Sequence, residues 1–253
     1  MIRGLYTSAL GMITEMSRMD AISNNIANVN TTGYKRDMPI ARAFSEELMI
    51  RLHDEQPLSR QVGGVTLGVF VDDIYTDFTN GALHQTLGNL DLALSGGGFF
   101  SVTVVDAEGN ETTMYTRDGT FTLSQDGTLI TKDGGVVQGT GGVITLPAGE
   151  INIQEQGQVY VNNEYVDTLL LVDFEDYHTL RKTKDNYFYT TDQSTETVFL
   201  GTVQQGYIES SNVNAVTEMV AMITVNRAYE INQRMITIHD TTLGRAVTDI
   251  ARK

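Results

Sequence analysis

From Asn212 to Lys253 the apolar positions recur with the period of a helix, and no Pro and only Gly244 interrupts them. Met222, Tyr229, Ile236, Leu243 and Ile250 stand seven apart, with Val225 and Ala246 at the intervening three-residue step, which is the repeat of a coiled-coil seam. A second stripe, Val216, Met219, Val220, Ile223, Ile231 and Ile238, lies on the other side. A helix apolar on two faces wants neighbours on both. About 38 helical residues extend for roughly 57 Å, while a compact globule of this chain length has a radius of gyration of about 18 Å. The spacing therefore predicts a helix that outruns an ordinary core, the alternative being one long buried helix of a single domain. Asn212 and Asn214 are N-cap candidates, Glu218 follows early, and Arg245, Arg252 and Lys253 suit the far end of the helix dipole.

The other end of the chain carries a similar pattern. Over residues 2–29, Ile2, Leu5, Ala9, Met12, Met16, Met19 and Ile26 are spaced three and four apart, with Ser23 interrupting and Tyr6, Ile13, Ile22 and Val29 widening the stripe. Asparagines at 24, 25, 28 and 30 are poor helix formers, so the helix is expected to fray there and stop at Gly33. The matching periods predict that the two terminal helices pair with each other. Between them, Pro39 with Ile40, Phe44, Leu48 and Leu52 at four-residue spacing predicts a short helix, followed by a polar loop over 54–66. From Leu67 to Gln205 the period becomes that of strands: Val69–Tyr75, Phe99–Val105, Thr120–Leu123, Thr128–Thr131, Gln158–Val161, Thr168–Phe174 and Val198–Val203. Asp118-Gly119, Asp126-Gly127, Asp133-Gly134 and Asn162-Asn163 supply turn signals between them. The expected fold is α+β, with an all-β domain inserted between long paired helices. Its segments are 1–36, 37–66, 67–205 and 206–253.

Charge sharpens this division. The chain of 253 residues carries a net charge of -15, yet residues 1–36 sum to +2 and residues 212–253 to +1, leaving -18 between them. Seven of the ten methionines lie in the two ends and all nine phenylalanines lie between. Near-neutral, Met-rich ends can pack against copies of themselves, whereas an acidic middle is solvated. The acidity argues against nucleic acid or an anionic membrane as partner. No stretch of 18 apolar residues is present, and the first residues lack the basic-then-apolar pattern of a cleaved Sec signal, so neither a transmembrane helix nor such a signal is expected.

Candidate chemistry is sparse. There is no cysteine, and His53, His84, His178 and His239 are isolated, without metal-pair spacing. No Lys-Ser/Thr follows Gly96-Gly97-Gly98, so this is a turn into a strand rather than a phosphate loop. The Asp-Gly turns keep no calcium-binding repeat, and nothing singles out a catalytic carboxylate pair. No catalytic residue, metal, cofactor or small-molecule substrate is expected.

Four ordered blocks carry a resemblance. Ser23 to Arg36 reads Ser-Asn-Asn-Ile-Ala-Asn-Val-Asn-Thr-Thr-Gly-Tyr-Lys-Arg; Gly88 to Phe100 and Tyr115 to Phe121 follow; Gly206 to Asn214 then leads into Glu218-Met219-Val220 and Arg227-Ala228-Tyr229-Glu230. In these the chain resembles bacterial flagellar rod and hook proteins, most nearly the proximal and distal rod proteins of the basal body. The signature positions are Asn24, Asn25, Asn28, Gly33, Tyr34, Lys35, Asn212, Asn214, Arg227, Tyr229 and Glu230. The resemblance implies a non-enzymatic subunit of the rod, a helical homopolymer with other rod and hook proteins as partners. It implies export through the flagellar apparatus without signal cleavage, and a place in the basal body within the cell envelope, where the rod carries torque from motor to hook. The terminal helices, inner layers of the shaft, would assemble through Ile2, Leu5, Ala9, Met12, Met16, Met19, Ile26, Met222, Val225, Tyr229, Ile236, Leu243, Ala246 and Ile250. A reading of another class is a secreted β-rich module that binds glycan or calcium and oligomerises through its helices; a peptidoglycan hydrolase comes after it.

Overall fold

The computed structural model describes residues 2–44, 47–50, 61–66, 68–105, 109–183 and 185–251, with backbone alone at 2, 47–50, 61–65 and 249–251. The chain divides into two compact units. One gathers Met1–Ala27, Asp37–Thr76 and Asn214–Lys253, the other Asn28–Arg36 and Asp77–Val213.

The first unit is built on two helices, α1 (Ile2–Ala27) and α2 (Ala215–Ala251), which pack on each other. Asn214 Oδ1 accepts from the backbone N–H groups of Val216 (3.0 Å) and Thr217 (3.2 Å), so Asn214 caps α2. Two ribbons complete the unit: Arg36–Ala43 with Val69–Asp77, and Glu47–Ile50 antiparallel with Gln61–Val65, the second standing where the sequence predicts helix at Leu48 and loop over 61–65. Thr14 Oγ1 reaches Val69 O at 3.3 Å, and Leu10 packs so closely on Gly68 that a Cβ there would lie 2.6 Å from its Cδ1. Phe44 and Phe70 meet with ring centroids 4.9 Å apart.

The strand Arg36–Ala43 stands where the four-residue spacing predicts a helix. A period of four is also a multiple of two, so Ile40 and Phe44 fit a pleat as well as a helix face. Pro39 is tolerated because a two-stranded ribbon leaves one edge of each strand free of ladder bonds. Leu52, the last residue of that pattern, lies outside the described residues.

The second unit is a ten-stranded antiparallel sheet with smaller sheets around it. Phe99–Val105 is central, paired with Glu111–Thr116, Val136–Gly139 and Leu171–Phe174. Because side chains alternate across a strand, neighbouring residues feed different cores. Phe100 and Tyr187 join Leu92, Val102, Phe121, Leu129, Val137 and Val159, while Phe99 and Phe188 join Tyr115, Val172, Phe174 and Leu180. Asn162 and Asn163 both adopt positive φ (52° and 68°) in the tight turn between Gln158–Val161 and Glu164–Thr168. Asp118-Gly119 is not such a turn. Gly119 is there because its Cα crosses the Leu92 backbone, where a Cβ would lie 1.7 Å from Leu92 O. Two short pairings close the unit: Leu83–Gln85 with Tyr207–Glu209, and Leu92–Ser95 with Thr202–Gln205.

Candidate functional site

Two features concentrate the residues singled out by the sequence: a buried polar cluster in the β-rich unit, and the helix pair of the other unit.

The polar cluster gathers chain from both sides of the β-rich unit. Helix α1 ends at Ala27, six residues before Gly33, so Gly33 is not its stop. Gly33 has φ +65° and its N–H donates to Glu209 O (2.8 Å); an added Cβ would lie 2.5 Å from the Arg117 carbonyl carbon, so only glycine fits. Next along the chain, Lys35 Nζ donates to Glu209 Oε1 (2.7 Å) and Thr79 O (2.8 Å). Arg117 donates to the other Glu209 oxygen (3.3 Å) and to Gly96 O (2.8 Å). The Gly81 N–H also donates to Glu209 (2.8 Å). All three charged side chains are at most 3% exposed. Burial pushes the Lys35 ammonium below its usual range, with Glu209 pulling the other way, and burial likewise lowers the Arg117 guanidinium. Around this core, Lys182 Nζ donates to Lys35 O (2.7 Å) and stands 3.5 Å from the centroid of the buried Tyr34 ring. Asn212 is no helix cap: its side chain accepts from Arg36 N (2.8 Å) and donates to Asp77 O (2.8 Å).

In the helix pair, α1 and α2 run antiparallel. A Cβ added at Gly4 would lie 2.5 Å from His239, one at Gly11 would lie 3.0 Å from Asn232, and Asn25 Nδ2 donates to Glu218 Oε2 at 3.4 Å. On α2, Val225 is buried and Met222, Tyr229, Ile236, Leu243 and Ala246 are half-buried; the side chain of Ile250 lies outside the described residues. On α1, Leu5, Ala9, Met12, Met19 and Ile26 are half-buried, Met16 is 54% exposed, and the side chain of Ile2 is not described. The contacts at Gly4, Gly11 and Asn25 fall one residue, about 100° of helix, from Leu5, Met12 and Ile26. Sequence reasoning missed them because glycine and asparagine do not read as seam residues; two glycines seven apart were the available signal.

The second stripe of α2 stands in solvent: Val216, Met219, Val220, Ile223, Ile231 and Ile238 are 52–71% exposed. Of the signature residues, Asn25 is buried, Asn28 and Tyr229 are half-buried, and Asn24, Arg227 and Glu230 are exposed. Asn28 Oδ1 accepts from Thr31 Oγ1 (3.1 Å) in the turn beyond α1. Among the described residues no group of three or more acidic or histidine side chains converges as a metal site would require. His239 packs against Gly4.

Comparison with known proteins gives three family matches. Residues 5–35 match the flagella basal body rod protein family, residues 93–161 the D1 domain of flagellar hook protein FlgE/F/G, and residues 204–249 the C-terminal region of flagellar basal body rod FlgEFG proteins. Flagellar basal-body rod protein FlgG of Buchnera aphidicola subsp. Acyrthosiphon pisum is 35% identical over 267 residues, covering 97% of this chain and 98% of the relative. Flagellar basal-body rod protein FlgF of Caulobacter vibrioides is 34% identical over 241 residues, covering 93% of each. Flagellar hook-basal body complex protein FlhO of Bacillus subtilis is 28% identical over 273 residues, covering the whole of both chains.

Proposed function

The chain belongs to the flagellar basal-body rod protein family, a family of structural subunits, and from that premise we propose that it polymerises helically through α1 and α2 and carries torque along the rod. In this reading α1 and α2 form a coiled coil within each subunit, the helix pairs make the core layers of the shaft, and other rod and hook proteins continue it at either end. The flagellar export apparatus delivers the subunit to the basal body without cleaving a signal. The work is mechanical and needs no catalytic residue.

One observation carries the proposal: α2 is apolar on two faces, and the stripe from Val216 to Ile238 is left in solvent by the subunit itself. An exposed apolar stripe of this length marks a surface that another molecule covers. A heterologous contact that does not close on itself generates a filament. The test is Ile231→Asp, on the outer face and away from α1. The purified variant should fold and remain monomeric, while cells carrying it lose their flagella, because a charge buried without a partner is costly. Normal flagella in those cells would remove the outer face from the assembly.

A further inference from the structure

We infer that the buried Asn25 side chain, with Asp37 and Glu218, sets the register in which α1 and α2 pair. This rests on the packing of the two helices and would stand or fall independently of the rod reading.

Three contacts between the helices obey one relation. Gly4 meets His239, Gly11 meets Asn232 and Asn25 meets Glu218, so each pair of numbers sums to 243. One register therefore holds over three heptads. Most of the seam cannot choose that register. A slip of seven residues would place Gly11 against His239, Gly4 against Ala246 and Asn232 against Arg18; a glycine accepts either neighbour, and the half-exposed Arg18 side chain can swing aside. The apolar residues of α2 repeat every seven and are equally indifferent.

Asn25 is not indifferent. It is 1% exposed, and its amide is matched on both sides: Nδ2 donates to Asp37 O (2.9 Å) and Oδ1 accepts from Asp37 N (3.0 Å), while Nδ2 also faces Glu218 Oε2. Asp37 is itself held, since Thr76 Oγ1 donates to its carboxylate at 2.7 Å. Asp37 and Thr76 lie on the two paired strands of the same unit. The last turn of α1 is thus pinned to a ribbon, and Glu218, 1% exposed, brings the first turn of α2 to the same point. The bonds to Asp37 would survive a slip of α2, but the bond to Glu218 would not: with Gly11 against His239, Asn25 would face Val225, which offers no acceptor to its second Nδ2 hydrogen, and after the opposite slip it would stand before the start of α2. A single buried amide discriminates registers in this way at some cost in stability.

The chain has no cysteine, which makes the register directly readable. In the full-length subunit, Gly11→Cys combined with Asn232→Cys reports the observed register, and Gly11→Cys combined with His239→Cys or with Val225→Cys reports slips of one heptad either way. On mild oxidation with Asn25 intact, only the 11–232 disulfide should form. With Asn25→Leu added, the 11–232 bond should be lost in part and one of the slipped bonds gained. Glu218→Gln, which keeps an oxygen toward Asn25, should retain the 11–232 bond alone. Positions 11 and 232 are fourteen residues from Asn25 and Glu218, so a purely local packing defect would leave them unchanged. The inference is overturned if Asn25→Leu still yields only the 11–232 bond, if that bond vanishes with no slipped bond replacing it, or if it does not form with Asn25 intact.

Discussion

Lys35, Arg117 and Glu209 bring two positive charges and one negative into a volume closed to water, and the remaining imbalance is met by the carbonyls of Thr79 and Gly96. Removing the acid would leave two buried cations facing each other, a change that costs about 3–5 kcal/mol in comparable pairs. Glu209→Ala should lower the urea midpoint of the β-rich unit by an amount of that order; a loss below about 1 kcal/mol, the scale of an exposed pair, would mean the cluster is solvated. In the sequence, Tyr34-Lys35 and Arg117-Asp118-Gly119 stand out as blocks, but nothing in either points to Glu209. The partners are 174 and 92 residues apart, and periodicity speaks only about near neighbours. The same holds for Gly33, whose neighbour is the Arg117 backbone rather than the end of its own helix.

Helix α2 is the most legible element, because a 37-residue helix repeats its heptad often enough for the pattern to survive polar interruptions at Asn232 and His239. Helix α1 is legible in extent but less so in facing, since its close approach to α2 uses Gly4 and Gly11. The ribbon strand at Arg36–Ala43 escapes the sequence reading because spacing of four fits either period. Gly244 offers a test at this level: it lies inside α2, and a Cβ added there would meet no described atom beyond its own turn of helix within 4 Å, so backbone freedom is what distinguishes it from alanine. Gly244→Ala should stabilise the helix by about 0.5–1 kcal/mol, seen as added helical ellipticity in the isolated subunit. An unchanged spectrum would show that the last turns of α2 are already fully helical in solution.

Across the whole chain, burial of the helix pair is graded. Ala21, Ile22, Asn25, Glu218 and Val225 are buried, whereas no described residue of α2 beyond Val225 is. A helix held by half-buried contacts opens at little free-energy cost. Hydrogen exchange of the full-length monomer should therefore find strands such as Phe99–Val105 strongly protected, residues 218–226 intermediate, and amides beyond Ile236 exchanging fastest; equal protection throughout would contradict the grading. The division into helical ends and a β-rich middle can be read from the change of hydrophobic period. The boundary within the signature run cannot: Asn25 belongs to one unit and Lys35 to the other, although the residues between them read as one motif. The pairing of α1 with α2 also has a consequence in time. Asn25 and Glu218 are 193 residues apart, so closing that contact directly from an unfolded chain would mean closing one very long loop, and contacts of this kind form slowly. The β-rich unit shortens the search by pairing Leu83–Gln85 with Tyr207–Glu209. On this argument α1 should find its partner only after the β-rich unit has formed, and should keep its apolar residues uncovered until then.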